Sequence, residues 1–254
     1  MTATDPHTCS VEFRVRFDEA GPDGLLRTSS LLRYAQDLAS VHSADRGFDR
    51  SWYAERGLAW LARTASAEIL APIAHGSSMT GTTRVVGERR VWARRRTDFH
   101  DRAGRLIART HVDWILLDAR GAPTRIPPEF EVAFGTPRAT FLLGRVELES
   151  PPAEARTIVF DVRPQELDPM DHVNNAVYVD WLEEAILGDG GAAAVRRTPR
   201  LARLEYARSA EPAATLSATV WPDEGGGWSY RLTGGTGNDL LRARLERSDE
   251  GTSD

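Results

Sequence analysis

Residues 160–186 read FDVRPQELDPMDHVNNAVYVDWLEEAI, and an earlier segment, residues 13–39, reads FRVRFDEAGPDGLLRTSSLLRYAQDLA. The two segments align without a gap at a shift of 147 residues. The identical pairs in this alignment are Phe13/Phe160, Val15/Val162, Arg16/Arg163, Glu19/Glu166 and Pro22/Pro169. A repeat of this length decides the fold, because each copy then encodes one structural unit.

The order of sequence patterns is the same in both copies, and this supports the repeat better than the identities do. Apolar and polar residues first alternate around Phe13 and Phe160, which is typical of a half-buried strand. A turn-rich segment and a helical pattern follow in each copy. The helical face is formed by Leu31, Ala35, Leu38 and His42 in the first copy and by Tyr178, Leu182, Ala185 and Ile186 in the second. Asn174 or Asn175 could cap the second helix.

Several strand-like runs follow each helix. In the first copy they are Leu61–Ile69, Thr82–Phe99 and Leu106–Leu117, with a hairpin turn at 101–104. In the second copy they are Leu201–Arg208, Thr215–Trp221, Trp228–Leu232 and Leu240–Leu245. We therefore predict an α+β fold of two tandem units, each a long helix wrapped by a curved antiparallel sheet. The expected division is a first unit at 10–135, a linker at 136–157 and a second unit at 158–247.

Composition excludes several classes of function. The chain has 254 residues and a net charge of −5, which argues against a nucleic-acid binder. Every basic residue is arginine, so a lysine Schiff base or a P-loop lysine is excluded. Cys9 is the one cysteine, so neither an intrachain disulfide nor a cysteine-based zinc site is expected. With no signal peptide or membrane span in the sequence, we expect a cytoplasmic protein without metal or cofactor.

One short stretch concentrates the residues that can carry chemistry. Asp168, Asp171, His172, Asn174 and Asn175 fall within eight positions, where a strand gives way to a helix. A helix N-terminus offers unpaired N–H groups that can hold an oxyanion. A carboxylate there can act as a base or a nucleophile, and a histidine as a proton carrier. From the residue types alone, the same stretch could also be no more than a helix cap.

The stretch from Asp168 to Tyr178, followed by Trp181 and Glu183, resembles the signature of hotdog-fold thioesterases. It is similar both to the 4-hydroxybenzoyl-CoA thioesterase group and to the acyl-ACP thioesterases of plants and bacteria. Further segments resemble the acyl-ACP branch, whose chains are tandem double hotdogs. These segments are 42–48, 57–63, 88–99, 104, 114–118 and 125–127.

The resemblance implies hydrolysis of an acyl thioester, carried by acyl carrier protein (ACP) or coenzyme A, as a step of lipid metabolism such as fatty acid biosynthesis. It assigns the catalytic aspartate to Asp168 and the histidine to His172, with Asn174 and the backbone near it assisting. The expected substrate-binding residues are Trp60, Arg63, Asn175 and Trp181. The expected assembly is a monomeric pseudo-dimer or a homodimer of it.

The sequence departs from the acyl-ACP branch at three catalytic positions. Met170 stands where that branch has an asparagine, and Ser209 and Ala210 stand where the plant enzymes have a glutamate and a cysteine. The first copy is expected to lack a site, because Gly21 and Leu25 lie opposite Asp168 and His172. Two other functions remain open, a non-catalytic acyl-binding module and a hotdog dehydratase or hydratase.

Arginines form a dense run near the middle of the chain, at 89, 90 and 94–96. Guanidinium groups suit the recognition of phosphate and of acidic surfaces. The run could therefore dock an acidic carrier protein or the phosphates of coenzyme A. Arginines on alternate positions of a strand could equally form a solvated face.

Overall fold

The computed structural model describes residues 5, 7–135 and 143–248. The chain divides into two units, Met1–Ala65 with Ile73–Leu143 and Ser66–Pro72 with Gly144–Asp254. Part of the predicted linker, 136–142, lies outside the described residues. Both units combine antiparallel strands with one long helix, as the sequence patterns predict.

The first unit is built on five strands. They are β1 (Cys9–Arg14), β2 (Ala59–Ile69), β3 (Ser78–Arg89), β4 (Trp92–Asp101) and β5 (Leu106–Leu117), in the order β1-β3-β4-β5-β2. Three helices accompany them: α1 (Thr28–Asp45), α2 (Arg50–Glu55) and α3 (Pro128–Phe134). The long helix α1 packs against β1, β3 and β5. All four predicted helix positions, Leu31, Ala35, Leu38 and His42, are buried, which confirms the predicted face.

The second unit repeats this plan with shorter strands. They are β6 (Arg156–Asp161), β7 (Arg200–Tyr206), β8 (Thr215–Pro222), β9 (Trp228–Thr233) and β10 (Asp239–Arg247), in the order β7-β10-β9-β8-β6. Its helices are α4 (Val177–Gly188), which packs against β8, and α5 (Ala192–Arg196). The predicted face of α4, formed by Tyr178, Leu182, Ala185 and Ile186, is fully buried.

Residues that lie 147 positions apart in the sequence also make equivalent contacts in the two units. Strands β1 and β6 have the same bounds after the shift, and a single 3-10 turn follows each of them. The carboxylate of Glu19 accepts the N–H of Arg16 at 2.8 Å, and that of Glu166 accepts the N–H of Arg163 at 2.7 Å. Each copy therefore uses one glutamate to fix the chain between its first strand and its long helix.

The same two glutamates also bind an aromatic side chain on the helix. Glu19 accepts a hydrogen bond from the Tyr34 hydroxyl, and Glu166 accepts one from Trp181 Nε1 at 3.3 Å. Both rings stack on the phenylalanine of the first strand in their own unit. The aromatic pair in the alignment, Tyr34 over Trp181, is thus a pair of equivalent structural contacts.

The prediction of one long strand over Thr82–Phe99 is wrong. The chain turns back at Arg90 and Val91, so that β3 and β4 form a hairpin in which Arg89 pairs with Trp92. Arg90 adopts a φ of 55°, the left-handed conformation that two-residue hairpin turns require. Because glycine or asparagine usually occupies such a position, an arginine there does not reveal the turn in the sequence.

Candidate active site

The loop between β6 and α4 holds Asp168 in a tight, bonded turn. Leu167 bridges to Val173, and the Asp168 N–H donates to the His172 carbonyl at 2.7 Å. At the base of the loop, the Asn174 N–H donates to the Glu166 carbonyl at 2.9 Å. The backbone of the predicted catalytic stretch is therefore fixed by its own main-chain hydrogen bonds.

One oxygen of the Asp168 carboxylate is held by the turn itself. Oδ1 accepts the Met170 N–H at 2.8 Å and the His172 N–H at 3.3 Å. Among the residues that the structure describes, none donates a hydrogen bond to Oδ2. The side chain is half-buried, so one oxygen is fixed in place while the other stays available to a substrate or a water molecule.

The turn requires an unusual conformation at Asp171. Its φ is 60°, in the left-handed region that favours glycine, and the equivalent residue of the first unit is Gly24 with a φ of 75°. The Asp171 N–H donates to the Asp168 carbonyl at 3.0 Å, as the Gly24 N–H does to Gly21 at 2.9 Å. The two units thus share one turn geometry, and the second unit carries a carboxylate at the position where the first has Gly21.

The two asparagines lie at the start of α4. Asn174 Oδ1 accepts the Ala176 N–H at 2.9 Å, just before the helix begins. The N-cap residue of α4 is Ala176, so the prediction that Asn174 or Asn175 caps this helix is wrong. The Asn175 carbonyl accepts the Tyr206 hydroxyl at 3.0 Å. His172 is exposed on the same loop. The structure thus brings together four of the predicted site residues: Asp168, His172, Asn174 and Asn175.

A buried tyrosine connects this loop to the positions that differ from the plant enzymes. The Tyr178 hydroxyl accepts the Ala210 N–H at 2.9 Å and is hydrogen-bonded to the Ser209 side chain. Burial raises the pKa of Tyr178, and the negative charge of Asp168 raises it further. The phenol therefore stays protonated at neutral pH, and Ser209 and Ala210 are held near the catalytic turn.

The first unit closes the equivalent turn with two further hydrogen bonds. There the Leu26 N–H donates to the Ile73 carbonyl and the His75 N–H donates to the Gly24 carbonyl, both at 2.8 Å. Leu26 corresponds to Val173 in the repeat. Within the described part of the second unit, no residue accepts the Val173 N–H. We call this side of the turn closed in the first unit, where the N–H is hydrogen-bonded, and open in the second, where the Val173 N–H has no acceptor among the described residues.

The remaining predicted substrate contacts lie elsewhere. Trp60 and Arg63 belong to β2 in the first unit, where Trp60 Nε1 donates to the Tyr53 hydroxyl at 3.1 Å. Trp181 is only 3% exposed, and its indole is stacked on Phe160 and bonded to Glu166. The contacts of Trp181 are therefore those of a core residue, and its contact with a substrate stays a prediction, as do those of Trp60 and Arg63.

The three central residues of the arginine run, Arg94–Arg96, do not form a free cationic surface, whereas Arg89 and Arg90 are exposed. Arg94 makes a two-pronged contact with Asp113 at 2.6 and 2.8 Å, and Arg96 pairs with Asp98 at 2.8 Å. Arg95 points to the opposite face of β4 and is only 9% exposed. Two of the guanidinium groups are thus neutralised by carboxylates, and the third is removed from the surface.

The described ranges contain neither a metal-binding cluster nor a membrane-spanning helix. No cluster of three histidine, cysteine or acidic side chains there could hold a metal ion. None of the described helices combines the length and the apolar character needed to cross a membrane.

Comparison with known proteins covers nearly the whole chain. The family model of the acyl-ACP thioesterase N-terminal domain matches residues 6–133, and that of the C-terminal domain matches residues 149–246. No curated protein matches the sequence.

Solved structures resemble the fold of both units. A putative oleoyl thioesterase from Lactobacillus plantarum has a TM-score of 0.85 at 18% identity, covering 96% of this chain and 97% of that one. The 12:0-ACP thioesterase from Umbellularia californica has a TM-score of 0.79 at 20% identity, covering 96% and 98%. An acyl-ACP thioesterase from Bacteroides thetaiotaomicron has a TM-score of 0.79 at 14% identity, covering 94% and 97%. The predicted double-hotdog fold is confirmed.

Proposed function

Because this chain belongs to the acyl-ACP thioesterase family and is therefore a hydrolase of acyl thioesters, we propose that Asp168 carries the chemistry of its single active site. The observation that supports this role is the fixed Asp168 carboxylate, in which two N–H groups orient Oδ1 and leave Oδ2 available. A carboxylate that is positioned in advance loses little entropy when it meets the substrate.

In the proposed reaction, Oδ2 of Asp168 accepts a proton from a water molecule as the water oxygen attacks the thioester carbonyl. The carbonyl π electrons move to its oxygen and form a tetrahedral intermediate. When the intermediate collapses, the C–S bond breaks, the carboxylic acid forms, and the proton returns to the leaving thiolate. Direct attack by Asp168 is the alternative: its carboxylate would displace the thiolate and form a mixed anhydride that water then hydrolyses. Labelled oxygen in the Asp168 side chain after a single turnover in labelled water would establish this route, through water attack on the aspartyl carbon of the anhydride.

The Val173 N–H is our candidate for the oxyanion donor. The His172 and Asn174 N–H groups are already bonded to Asp168 Oδ1 and to the Glu166 carbonyl. Val173 pairs with Leu167 between two main-chain hydrogen bonds, so strand geometry turns its N–H away from Leu167. The equivalent N–H of Leu26 is occupied by Ile73 in the first unit, which supports a single active site.

The other predicted residues take supporting roles in this proposal. His172 is exposed beside Asp168 and would help to protonate the leaving thiol. Asn174 keeps the chain between the catalytic turn and α4 in place through its bond to the Ala176 N–H. Met170 donates its backbone N–H to Asp168, a bond that an asparagine at this position could also make, and its side chain is 50% exposed.

The substrate is proposed to be an acyl chain on acyl carrier protein, as the family implies, with coenzyme A thioesters as the second choice. We further propose a cytoplasmic role in fatty acid biosynthesis and a domain division at 10–135, 136–157 and 158–247. The assembly is proposed to be a monomeric pseudo-dimer or its homodimer. Light scattering of the purified chain would distinguish these two states.

Asp168→Asn tests the proposal, with Asp171→Asn as the matched control from the same turn. Both changes remove one carboxylate without changing the side-chain size, and asparagine tolerates the left-handed conformation at 171. We expect Asp168→Asn to lower kcat about 10²–10⁴-fold in a thiol-release assay with acyl-ACP and acyl-CoA substrates. Asp171→Asn should stay within a few-fold of the parent protein.

A well-folded Asp168→Asn protein with nearly normal turnover would move the chemistry away from this carboxylate. A parent protein that binds acyl-ACP but releases no thiol would instead favour the acyl-binding module. Formation of an unsaturated product from a 3-hydroxyacyl thioester would favour the dehydratase.

A further inference from the structure

The first unit contains a polar pair inside its core. His42 on α1 is 1% exposed and Arg95 on β4 is 9% exposed. Arg95 Nη1 lies 2.9 Å from His42 Nδ1. The pair lies beside the ring of Phe134, whose centroid is 5.1 Å from the His42 ring and 5.6 Å from Arg95 Cζ.

The hydrogen bond fixes the tautomer of His42. A guanidinium group can only donate, so Nδ1 of His42 must accept and therefore carries no proton. Burial, with the charge of Arg95 adding to it, lowers the pKa of His42 to about 4, so the ring is neutral at pH 7. The proton of the neutral ring is then on Nε2. This N–H is buried and has no acceptor among the described residues.

The guanidinium group of Arg95 also lacks a counter-charge among the described residues. No carboxylate of the described residues lies within ion-pair distance, and Tyr53 and Cys9 are the groups that act on Arg95 electrostatically. A buried cation without a partner is costly, and buried charges in proteins are normally paired. Burial accordingly lowers the pKa of Arg95 to about 10, but the group remains charged at pH 7.

A second histidine of the first unit also has a buried ring nitrogen without a hydrogen-bond partner among the described residues. Nδ1 of His7, which is close enough to act on His42 electrostatically, is buried without a hydrogen-bond partner in the described part of the chain. Three polar side chains of the first unit, His7, His42 and Arg95, therefore share one interior region. Among the described residues, His42 Nε2 is a donor without an acceptor and Arg95 is a cation without a carboxylate partner.

Apolar rings border this polar pair. Phe134 belongs to a cluster with Phe48 and Phe130, and the partly buried Trp52 and Trp60 pack against that cluster. A ligand at the pair would therefore meet the N–H of His42 Nε2 and the guanidinium group of Arg95 at one end, and aromatic surface beside them. This combination suits an organic carboxylate with an apolar body, because the carboxylate can accept from both donors and neutralise the cation.

We propose that Arg95 and His42 Nε2 form a binding site for the carboxylate of an amphipathic organic acid inside the first unit. The carboxylate is that of a free fatty acid, so this inference goes beyond the proposed function. All residues of the site belong to the first unit.

Calorimetric titration of the full chain with decanoate tests the site without using catalysis. We expect saturable binding with one site per chain, weakened about tenfold or more in Arg95→Met and in His42→Leu, because each removes a charge-assisted bond. Arg96→Met is the matched control, because Arg96 is the next residue on β4 and is already paired with Asp98. Its affinity for decanoate should equal that of the parent protein.

A wild-type measurement covers the case in which both variants fail to fold. Decanoate should shift the imidazole ¹⁵N–¹H signal of His42 Nε2, because this N–H gains an acceptor. Binding that is equal in the parent and in Arg95→Met would overturn the proposal. An unchanged Nε2 signal at saturating decanoate would overturn it as well.

The proposed site and the proposed hydrolysis can fail independently. Decanoate binding by a protein that releases no thiol from either acyl-ACP or acyl-CoA substrates would refute the proposed hydrolysis and support this site.

Discussion

Removal of one hydroxyl group, in Tyr178→Phe, tests how the open side of the catalytic turn is maintained. The hydroxyl accepts the Ala210 N–H at 2.9 Å, and both residues are only 2% exposed. Phenylalanine keeps the ring contacts with Trp181 and Tyr206, whose centroids lie 5.2 and 5.5 Å away. The change therefore leaves the buried Ala210 N–H without its acceptor and also removes the hydrogen bond to the Ser209 side chain.

The cost in stability follows from the Ala210 N–H that loses its acceptor. An unsatisfied buried donor costs about 1–3 kcal/mol, so the free energy of unfolding should fall by that amount. For a chain of this size, each 1 kcal/mol corresponds to a decrease in Tm of about 2–4 °C. Urea unfolding and a thermal scan measure both quantities.

The expected effect on activity has a separate cause. Once released from Tyr178, the segment at Ala210 can approach Val173 as Ile73 approaches Leu26 in the first unit. The Ala210 carbonyl would then occupy the Val173 N–H. Loss of one oxyanion donor lowers kcat about 10²–10³-fold, and we expect a decrease of this order in the thiol-release assay.

Tyr34→Phe is the matched control, because it also removes a buried hydroxyl, the one bonded to Glu19 in the first unit. It should destabilise the protein by a similar amount or more while kcat stays within a few-fold of the parent value. If Tyr178→Phe were as active as the parent, the Ala210 bond would have no part in keeping the site open. An equal loss of kcat in both variants would attribute the effect to stability alone.

Two further predictions concern the first unit and the pH dependence of stability. Asp23 lies in the closed turn of the first unit, so Asp23→Ala should leave turnover within a few-fold of the parent; a loss as large as that of Asp168→Asn in a folded protein would contradict a single site. Burial lowers the pKa of both His42 and His111 to about 4, below the 6.5 of an unperturbed histidine, so the unfolded chain binds more protons between these values. Stability should therefore be complete above about pH 6.5 and decrease as the pH falls towards 4, with each histidine contributing on the order of 3 kcal/mol. Urea unfolding at pH 7 and pH 4.5 measures this, and a free energy that is constant over that range would refute it.

The sequence predicts most of the fold because the repeat constrains both halves together. The gapless shift places Glu19 over Glu166 and Tyr34 over Trp181, and these pairs make equivalent contacts. Helix positions such as Leu38 and Leu182 are buried as their periodicity indicates. These features depend on local pattern and on apolar spacing, both of which a sequence displays directly.

Other features depend on contacts or conformations that the sequence does not display. Arg90 gives no sign that it adopts a left-handed conformation, so the β3–β4 hairpin was predicted as one strand. Helix α2 was not predicted, although Asp49 caps it by accepting the Trp52 N–H at 2.8 Å. The alternation of β4 could have shown that Arg95 faces inward, since its neighbours Arg94 and Arg96 share the other face.

The candidate active site also has features that the sequence displays and features that only the folded chain reveals. The presence of Asp168 and His172 in one stretch was predictable, because they are neighbours in the sequence. The open Val173 N–H was not, because it depends on where the Ala210 segment lies after folding. The bond from Ala210 to Tyr178 joins residues 32 positions apart, and only the folded chain reveals it.

The shared turn geometry of the two copies has a genetic consequence. A protein that carried one copy per chain and paired with itself would present the same residue at both equivalent positions. A chain that carries both copies can mutate them separately, so Gly21 and Asp168 can differ, as can Gly24 and Asp171. When the second copy carries the catalytic aspartate, the first copy is not under selection for hydrolysis and can evolve under other constraints. Directed evolution can use the same freedom by randomising codons of the first copy while the reacting carboxylate stays fixed.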